Sequence, residues 1–137
     1  MKTVLFACVH NAGRSQMAAA LFNRLADPAE AIAVSAGTQP GPRVHPEVVE
    51  AMREIGIDLS SAIPRQLTPA LVANVQLLVT MGCGDACPVV PGVERDDWPL
   101  EDPRGRPLHR VREIRDEIEK RVRGLLAQYG WCPSGNA

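Results

Sequence analysis

Cys8 and Arg14 are separated by five residues near the start of the chain, and Ser15 follows directly. A cysteine thiolate is a nucleophile, and the planar fork of an arginine side chain can hold two oxygens of a tetrahedral anion. Gly13 permits close approach of the backbone, and Asn11 tolerates a left-handed conformation if the loop requires one. Ser15 can donate a hydrogen bond to the thiolate. Together these residues predict a nucleophile beside a loop that binds an oxyanion.

The backbone of this loop supplies the rest of the predicted anion site. A loop between a strand and a helix can turn its N–H groups inward beside the positive end of the helix, and these surroundings favour the thiolate. An inert buried cysteine beside a surface arginine is the alternative, and spacing alone leaves it open. The His10 side chain receives no role, because a loop histidine usually faces solvent. The predicted oxyanion-binding residues are Val9, His10, Asn11, Ala12, Gly13, Arg14 and Ser15.

Hydrophobic patterns predict the elements that position this loop. Short apolar runs predict strands at 3–7, 31–35 and 76–81, and a fourth strand is expected near 95–98. Stripes at spacings of three and four predict helices at 15–26, 46–56 and over 108–125, and Thr68-Pro69 predicts the start of a short helix. Strands that alternate with helices favour βαβ units and a parallel sheet covered on both faces. Such folds bind ligands at the carboxyl ends of their strands. Cys8 follows the first predicted strand.

Size and composition favour one cytoplasmic domain over residues 1–137, with an irregular tail from 129. The 137 residues are 45% hydrophobic and 23% charged, as in globular domains, and the net charge of −1 gives no general attraction for nucleic acid or membranes. The apolar run at 4–9 is too short for a signal peptide or a membrane span. Because cytoplasmic thiols stay reduced, the four cysteines are expected to be catalytic, redox-active or metal-binding rather than structural.

The motif around Cys8 and two further segments resemble a known family. Cys8 to Ser15 is followed by Gln-Met-Ala, Ser-Ala-Gly-Thr occurs at 35–38, and Gly-Ile-Asp occurs at 56–58. This pattern is similar to that of the low-molecular-weight tyrosine phosphatases, and in particular to their arsenate reductase branch, over about residues 2–128. The resemblance implies a three-layer αβα fold with a central four-stranded parallel sheet. It also implies reduction of arsenate to arsenite in arsenic detoxification.

An acid is required as well, because a departing oxide or hydroxide leaves poorly without a proton. The resemblance implies that the aspartate of Asp102-Pro103 supplies it, since the family carries an Asp-Pro pair before its last helix. Asp-Pro also favours turns, so a purely structural role is the alternative. Asp96, Asp97 and Glu101 lie close enough in sequence to be confused with Asp102. Which of these four residues is the acid depends on their positions relative to the Cys8 loop.

Reduction of arsenate needs two electrons, and conversion of two thiols into a disulfide supplies two. Cys83 and Cys87 directly follow the third predicted strand. The resemblance to arsenate reductases with three cysteines implies a relay in which Cys8 attacks arsenate and Cys83 then attacks Cys8. Cys87 finally attacks Cys83 and leaves a disulfide between that pair.

Other interpretations of these cysteines stay open. The Cys83–Cys87 pair falls within zinc-ligand spacing, although Cys132, His10, His45 and His109 offer no second paired motif, or it could be inert. A phosphatase acting on phosphotyrosine or a small phosphate ester would need only Cys8, Arg14 and Asp102. Against it, Arg-Gly-Arg follows the Asp-Pro pair and aromatic residues make up only 4% of the chain. An oxyanion-binding module without turnover is a third reading.

The expected partners are arsenate and an external thiol, with no bound cofactor, no metal and a monomeric chain. Family members linked to thioredoxin have a more widely spaced redox pair and commonly a glutamate, contributing to a potassium site, where this chain has Ala19. Thioredoxin, glutaredoxin and a small thiol such as mycothiol all stay open as the reductant. Cys132, in the predicted tail, is expected to be an exposed and dispensable thiol.

Overall fold

A computed structural model describes residues 1–82 and 91–133 of the protein. Its elements are, in chain order, β1 (Lys2–Cys8), α1 (Arg14–Leu25), β2 (Ala31–Gly37), α2 (Pro46–Arg53), α3 (Pro69–Ala73), β3 (Leu77–Thr80), β4 (Glu94–Asp97) and α4 (Leu108–Tyr129). The four strands pair in parallel, in the order β2-β1-β3-β4. The predicted α/β fold with a four-stranded parallel sheet is confirmed.

The alternation of side chains along β1 separates two hydrophobic layers. Val4, Phe6 and Cys8 point into the larger cluster, which also contains the buried faces of α1, α2 and α4. Leu5 and Ala7 point to the opposite face, where they pack with residues of α3 and the segment around it. Successive residues of a strand face opposite sides of the sheet, so β1 lies between two helical layers. Its register places the Cys8 side chain on the side that carries α1.

The strands next to β1 end at the same edge of the sheet. Cys8 pairs with Gly37 at the end of β2, and Ala7 pairs with Thr80 at the end of β3. The backbone N–H of Met81 continues this pairing, since it donates to the Ala7 carbonyl over 2.7 Å. The carboxyl ends of three strands therefore converge around the loop that follows Cys8.

Residues 129–131, at the start of the predicted irregular tail, are packed against the domain. The helix α4 runs to Tyr129, and Trp131 is buried, with its ring 6.0 Å from that of Phe22 and 4.6 Å from that of Tyr129. The backbone N–H of Asp27 donates to the Trp131 carbonyl. Of the described part of the segment predicted to be an irregular tail, 129–131 belongs to the packed domain.

No helix within the described ranges is both long and apolar enough to cross a membrane. The longest helix, α4, has 22 residues and carries many charged side chains.

Candidate oxyanion site

The loop between β1 and α1 turns its carbonyl groups outward. The carbonyls of Cys8, Val9, His10 and Ala12 accept hydrogen bonds from backbone N–H groups of residues 38, 39, 41 and 45. In contrast, no backbone N–H from 10 to 14 donates a hydrogen bond to any other described residue. Backbone N–H groups seldom stay without an acceptor unless a solvent molecule or ligand provides one. The loop therefore has free donors in the segment for which the sequence predicts an anion nest.

Asn11 fixes the shape of this loop. Its φ is 50°, the left-handed conformation that the sequence allowed for this residue. Its side chain is fully buried and uses both ends: Nδ2 donates to Ser15 Oγ over 2.7 Å, and Oδ1 accepts from Gln16 Nε2 and from the backbone N–H of Arg65. The amide thus ties the loop to the start of α1 and to the segment before α3.

Ser15 connects Asn11 to the predicted nucleophile. Cys8 Sγ and Ser15 Oγ lie 2.9 Å apart, and both residues are buried. A hydroxyl has one hydrogen and two lone pairs. Because Asn11 already donates to Ser15 Oγ, the hydroxyl hydrogen is available for the sulfur. The arrangement is suited to holding a thiolate, since a donated hydrogen bond stabilises negative charge on Sγ.

Arg14, the first residue of α1, extends from the loop toward the segment before α4. The Arg14 side chain is 9% exposed; Nη1 donates to the Leu100 carbonyl over 3.1 Å, and Nη2 lies 3.8 Å from Asp102 Oδ2. A buried charge requires such partners. The structure thus brings Asp102 beside Arg14, the residue that follows the Cys8 loop, although the two are far apart in sequence.

Asp102 is the acidic residue that meets the Cys8 loop. The other candidates have different partners: Asp96 accepts from Trp98 Nε1, Asp97 accepts from the Thr80 hydroxyl, and Glu101 pairs with Arg106 and Arg110. Hydrogen bonds from Arg110 hold the pKa of Glu101 below its ordinary value. Asp102 keeps 44% of its side chain exposed, and its Oδ1 accepts from the Arg104 N–H in a turn. A carboxyl that solvent can reach and that faces the site is suited to proton transfer.

Two glycines allow the backbone segments of the site to meet. A Cβ atom added to Gly37, at the end of β2, would lie 2.6 Å from the Val9 carbonyl oxygen and 2.8 Å from the Asn11 nitrogen. One added to Gly13 would lie 2.8 Å from Cγ of Pro103. The close contact of Gly37 with the Cys8 loop was not predicted from the sequence, although Gly37 lies in the Ser-Ala-Gly-Thr motif at 35–38. Its signal was a glycine just beyond a predicted parallel strand, where backbones approach closely.

A cleft of about 390 Å³ adjoins the loop; its lining residues are His10, Gln39, Pro40, Gly41, Pro42, Arg43, His45, Pro46 and Arg104. No Phe, Tyr or Trp is among these lining residues. The His10 side chain is partly buried, with Nδ1 3.0 Å from the Gln39 carbonyl, so it does not simply face solvent. Burial lowers the pKa of His45 below 6.5, against the opposing fields of Glu47 and Asp102.

The remaining predicted residues can be placed only in part. Cys83 and Cys87 lie outside the described residues, so their predicted relay stays a prediction. Cys132 is exposed, as expected. Within 1–82 and 91–133, no three His, Cys, Asp or Glu side chains are arranged to hold a metal ion.

Comparisons with known proteins agree with this geometry. Residues 3–130 match the family model of the low molecular weight phosphotyrosine protein phosphatases. An arsenate reductase of Staphylococcus aureus is 36% identical over 123 residues, which cover 86% of this chain and 91% of the relative.

Two solved structures are similar over most of the chain. An arsenate reductase of Archaeoglobus fulgidus aligns with a TM-score of 0.79 and 34% identity, covering 90% of this chain and 98% of its own. A thioredoxin-dependent arsenate reductase of Corynebacterium glutamicum aligns with a TM-score of 0.81 and 41% identity, covering 93% of this chain and 61% of that longer one. The chain belongs to the low molecular weight phosphotyrosine protein phosphatase family.

Proposed function

We propose that the protein is an arsenate reductase in which Cys8 is the nucleophile, Arg14 and the loop N–H groups bind the oxyanion, and Asp102 is the acid. The observation that carries the proposal is the cluster in which Cys8 Sγ meets Ser15 Oγ at 2.9 Å while Arg14 Nη2 lies 3.8 Å from Asp102. The relatives named arsenate reductases, which align over most of the chain, support this choice of substrate.

The first step forms a bond between sulfur and arsenic. The Cys8 thiolate attacks arsenate, and an arsenate oxygen leaves as water after it has received a proton from Asp102. Arsenic stays in the +5 state, because one oxygen ligand has been exchanged for a sulfur ligand. Arg14 and the free N–H groups offset the negative charge of the remaining oxygens, and such preorganised donors commonly make the largest contribution to catalysis.

The second step transfers two electrons. A second thiolate attacks Cys8 Sγ, a disulfide forms, and the electron pair of the S–As bond stays with arsenic, which leaves as arsenite in the +3 state. In our proposal this thiolate is that of Cys83, and Cys87 then attacks Cys83 and frees Cys8. The position of Cys83 in sequence supports its role, because it comes three residues after β3, which pairs with β1 beside Cys8.

An external thiol reductant must supply two electrons to return the Cys83–Cys87 disulfide to its reduced form. Thioredoxin is the donor that we propose, since the similar reductase of Corynebacterium glutamicum depends on it. Glutaredoxin and a small thiol such as mycothiol are the alternatives. We further propose that the protein acts as a monomer in arsenic detoxification. Its place would be the cytoplasm, because its thiols must be kept reduced between turnovers.

The test is arsenate reduction coupled to thioredoxin and its reductase, followed by peptide mapping after one exposure to arsenate. Cys87→Ser should release one arsenite per enzyme and stop with a Cys8–Cys83 disulfide, since no thiolate remains to move the bond outward. Cys83→Ser should stop earlier, with arsenic still bound to Cys8.

Three outcomes would change the proposal. A Cys8–Cys87 bridge in the wild type would reverse the order of the two cysteines. A small thiol attached to Cys8 beside a reduced Cys83–Cys87 pair would identify that thiol as the reductant. Phosphate or arsenate binding without any turnover would leave an oxyanion-binding module.

Phosphatase activity is the second candidate function, because Cys8, Arg14 and Asp102 would suffice for it. The cleft beside the loop is lined mostly by prolines, histidines and arginines. It has no Phe, Tyr or Trp among its lining residues, so an aryl ring would have no such side chain to stack on there. Weak hydrolysis of a small aryl phosphate should therefore survive in Cys83→Ser and Cys87→Ser. Loss of hydrolysis in parallel with reduction would mean that these cysteines shape the loop itself.

A further inference from the structure

Gly82 lies two residues after β3, where the chain passes the guanidinium of Arg14. Its φ is +104°, and a Cβ atom added there would collide with Arg14 Nη1 and lie 3.3 Å from Arg14 Cζ and 3.6 Å from Nη2. All three of the nearest atoms belong to the Arg14 side chain. The glycine therefore leaves open the space that this guanidinium fills.

The identity of these neighbours determines what a side chain at this position would do. Around Gly37 the nearest atoms are backbone atoms of Val9 and Asn11, which cannot move without distorting the loop. Around Gly82 they are the far end of a long side chain with four rotatable bonds. The collision would be relieved at least cost by rotation of Arg14 away from its place, while the fold stays intact.

The Arg14 guanidinium is also held by contacts away from Gly82. The side chain is 9% exposed, Nη1 donates to the Leu100 carbonyl, and Nη2 faces Asp102. A rotation that avoids position 82 must break at least one of these contacts, because a guanidinium is planar and its donors have fixed directions. We infer that Gly82 is a positioning residue for oxyanion binding. Because Gly82 has no side chain, the Arg14 guanidinium can keep the orientation in which it binds the anion. This inference rests on the proposed role of Arg14.

The test compares Gly82→Ala with Gly130→Ala. Gly130 has a φ of +71° and no atom within 4 Å of an added Cβ, so its variant introduces unfavourable backbone conformation without a collision. It lies after α4, in the segment that packs near Phe22. Inorganic phosphate is the probe, with its affinity measured by calorimetry. We expect Gly82→Ala to bind phosphate about ten- to a hundred-fold more weakly, the range for loss of a hydrogen bond to a charged group. Gly130→Ala should bind it as the wild type does.

A second readout separates positioning from general damage. Iodoacetamide is neutral and reports the reactivity of the thiol, so the rate of Cys8 alkylation, followed by peptide mapping, should stay within about two-fold of wild type in Gly82→Ala. The KM for arsenate should rise with the phosphate Kd. If Cys8 reactivity falls by the same factor as phosphate affinity, the substitution has damaged the whole loop and the inference is wrong.

A double-mutant cycle with Arg14→Ala completes the test. If Gly82 acts through Arg14, adding Gly82→Ala to Arg14→Ala should not weaken phosphate binding further. An additional loss of similar size in the double variant would overturn the inference. If Gly82→Ala alone does not fold, the double variant should fold, because the colliding side chain is gone; failure of both to fold would place the collision elsewhere and would also overturn it.

The same measurements separate this inference from the proposed function. Phosphate binding that is unchanged in Arg14→Ala would remove Arg14 from the oxyanion site and thus contradict the proposed function. Weakened binding in Arg14→Ala together with unchanged binding in Gly82→Ala would contradict only the role of Gly82.

Discussion

The two loops that form the site are held in different ways. The Cys8 loop is buried and fixed by side-chain hydrogen bonds, with Asn11 fully buried and bonded to Ser15, to Gln16 and to the backbone of Arg65. The Asp102 side chain is 44% exposed; its oxygens meet only the Arg104 N–H and, at 3.8 Å, Arg14, among the described residues. One loop is rigidly built before any ligand arrives, and the other is attached through a turn.

This difference follows from what each group must do. A nucleophile and an anion nest gain from preorganisation, since donors that already point at the anion do not have to be reoriented during the reaction. An acid must give up a proton in each turnover and recover one, which solvent exposure allows. The comparison predicts that substitutions in the Cys8 loop damage binding or stability as well as chemistry, whereas substitution of Asp102 affects mainly the chemical step.

The largest effect is expected for Cys8→Ser. A serine hydroxyl stays protonated near neutral pH and is a far weaker nucleophile than a thiolate, so arsenate reduction should fall by roughly 10⁴-fold or more. The assay is thioredoxin-coupled arsenate reduction at saturating reductant. Cys132→Ser is the matched control, because Cys132 is exposed and should be dispensable. Residual activity above a few per cent in Cys8→Ser would place the nucleophile elsewhere.

Asp102→Asn should produce the next largest effect and should separate chemistry from binding. Loss of a general acid typically costs about 10²- to 10⁴-fold, so kcat should fall by that factor while the Kd for phosphate changes little. Glu101→Gln is the control, since Glu101 pairs with Arg106 and Arg110 rather than with Arg14. An Asp102→Asn enzyme with normal kcat, or one that loses phosphate binding in proportion to kcat, would contradict the division between the two loops.

Asn11→Ala tests the rigidity of the Cys8 loop through stability. The variant loses three hydrogen bonds of a fully buried amide and forces alanine into a φ of 50°, so the free energy of unfolding should fall by roughly 2–4 kcal/mol. Urea denaturation measures it. The control is Asn74→Ala, because the Asn74 side chain makes one exposed hydrogen bond, to the Ala70 carbonyl. Equal losses in both variants would show that the loop does not depend on Asn11.

Periodicity and residue type sufficed to predict the first three strands, the helices and the Cys8 loop. They succeeded because short apolar runs such as 3–7 have few alternatives to a buried strand, and because the loop residues follow one another directly in sequence. The contact between Arg14 and Asp102 depends on how far the chain travels between them, so the local pattern could not rank Asp102 above Asp96, Asp97 or Glu101.

Gly37 and Gly82 show the same limit from another side. A glycine in a sequence indicates that space or an unusual φ is needed, but the neighbour that requires the space is known only after folding. For Gly37 that neighbour is backbone, and for Gly82 it is the Arg14 side chain. Burial of Trp131 depends likewise on the distant Phe22, so a short glycine- and proline-containing segment resembled a loose tail.

The smallest expected effect is the pH dependence of stability that comes from His45, the residue before α2. Burial lowers the pKa of His45 in the folded protein, so below the ordinary value of 6.5 the unfolded chain binds a proton at this residue more readily than the folded one does. Stability contributed by neutral His45 is therefore present above pH 6.5 and decreases as the pH falls from there toward the folded pKa. Glu47 and Asp102 favour the protonated ring and reduce the effect. Because the ring is also partly exposed, the change in the free energy of unfolding should be below about 1 kcal/mol.

The measurement is urea denaturation at pH 7.5 and 5.5. His45→Asn, which keeps a residue suited to the start of α2, should lose less stability over that interval than the wild type, while the exposed His109→Asn should not differ from it. A wild type that becomes more stable on acidification, relative to His45→Asn, would mean that Glu47 and Asp102 outweigh burial and favour protonated His45 in the folded protein.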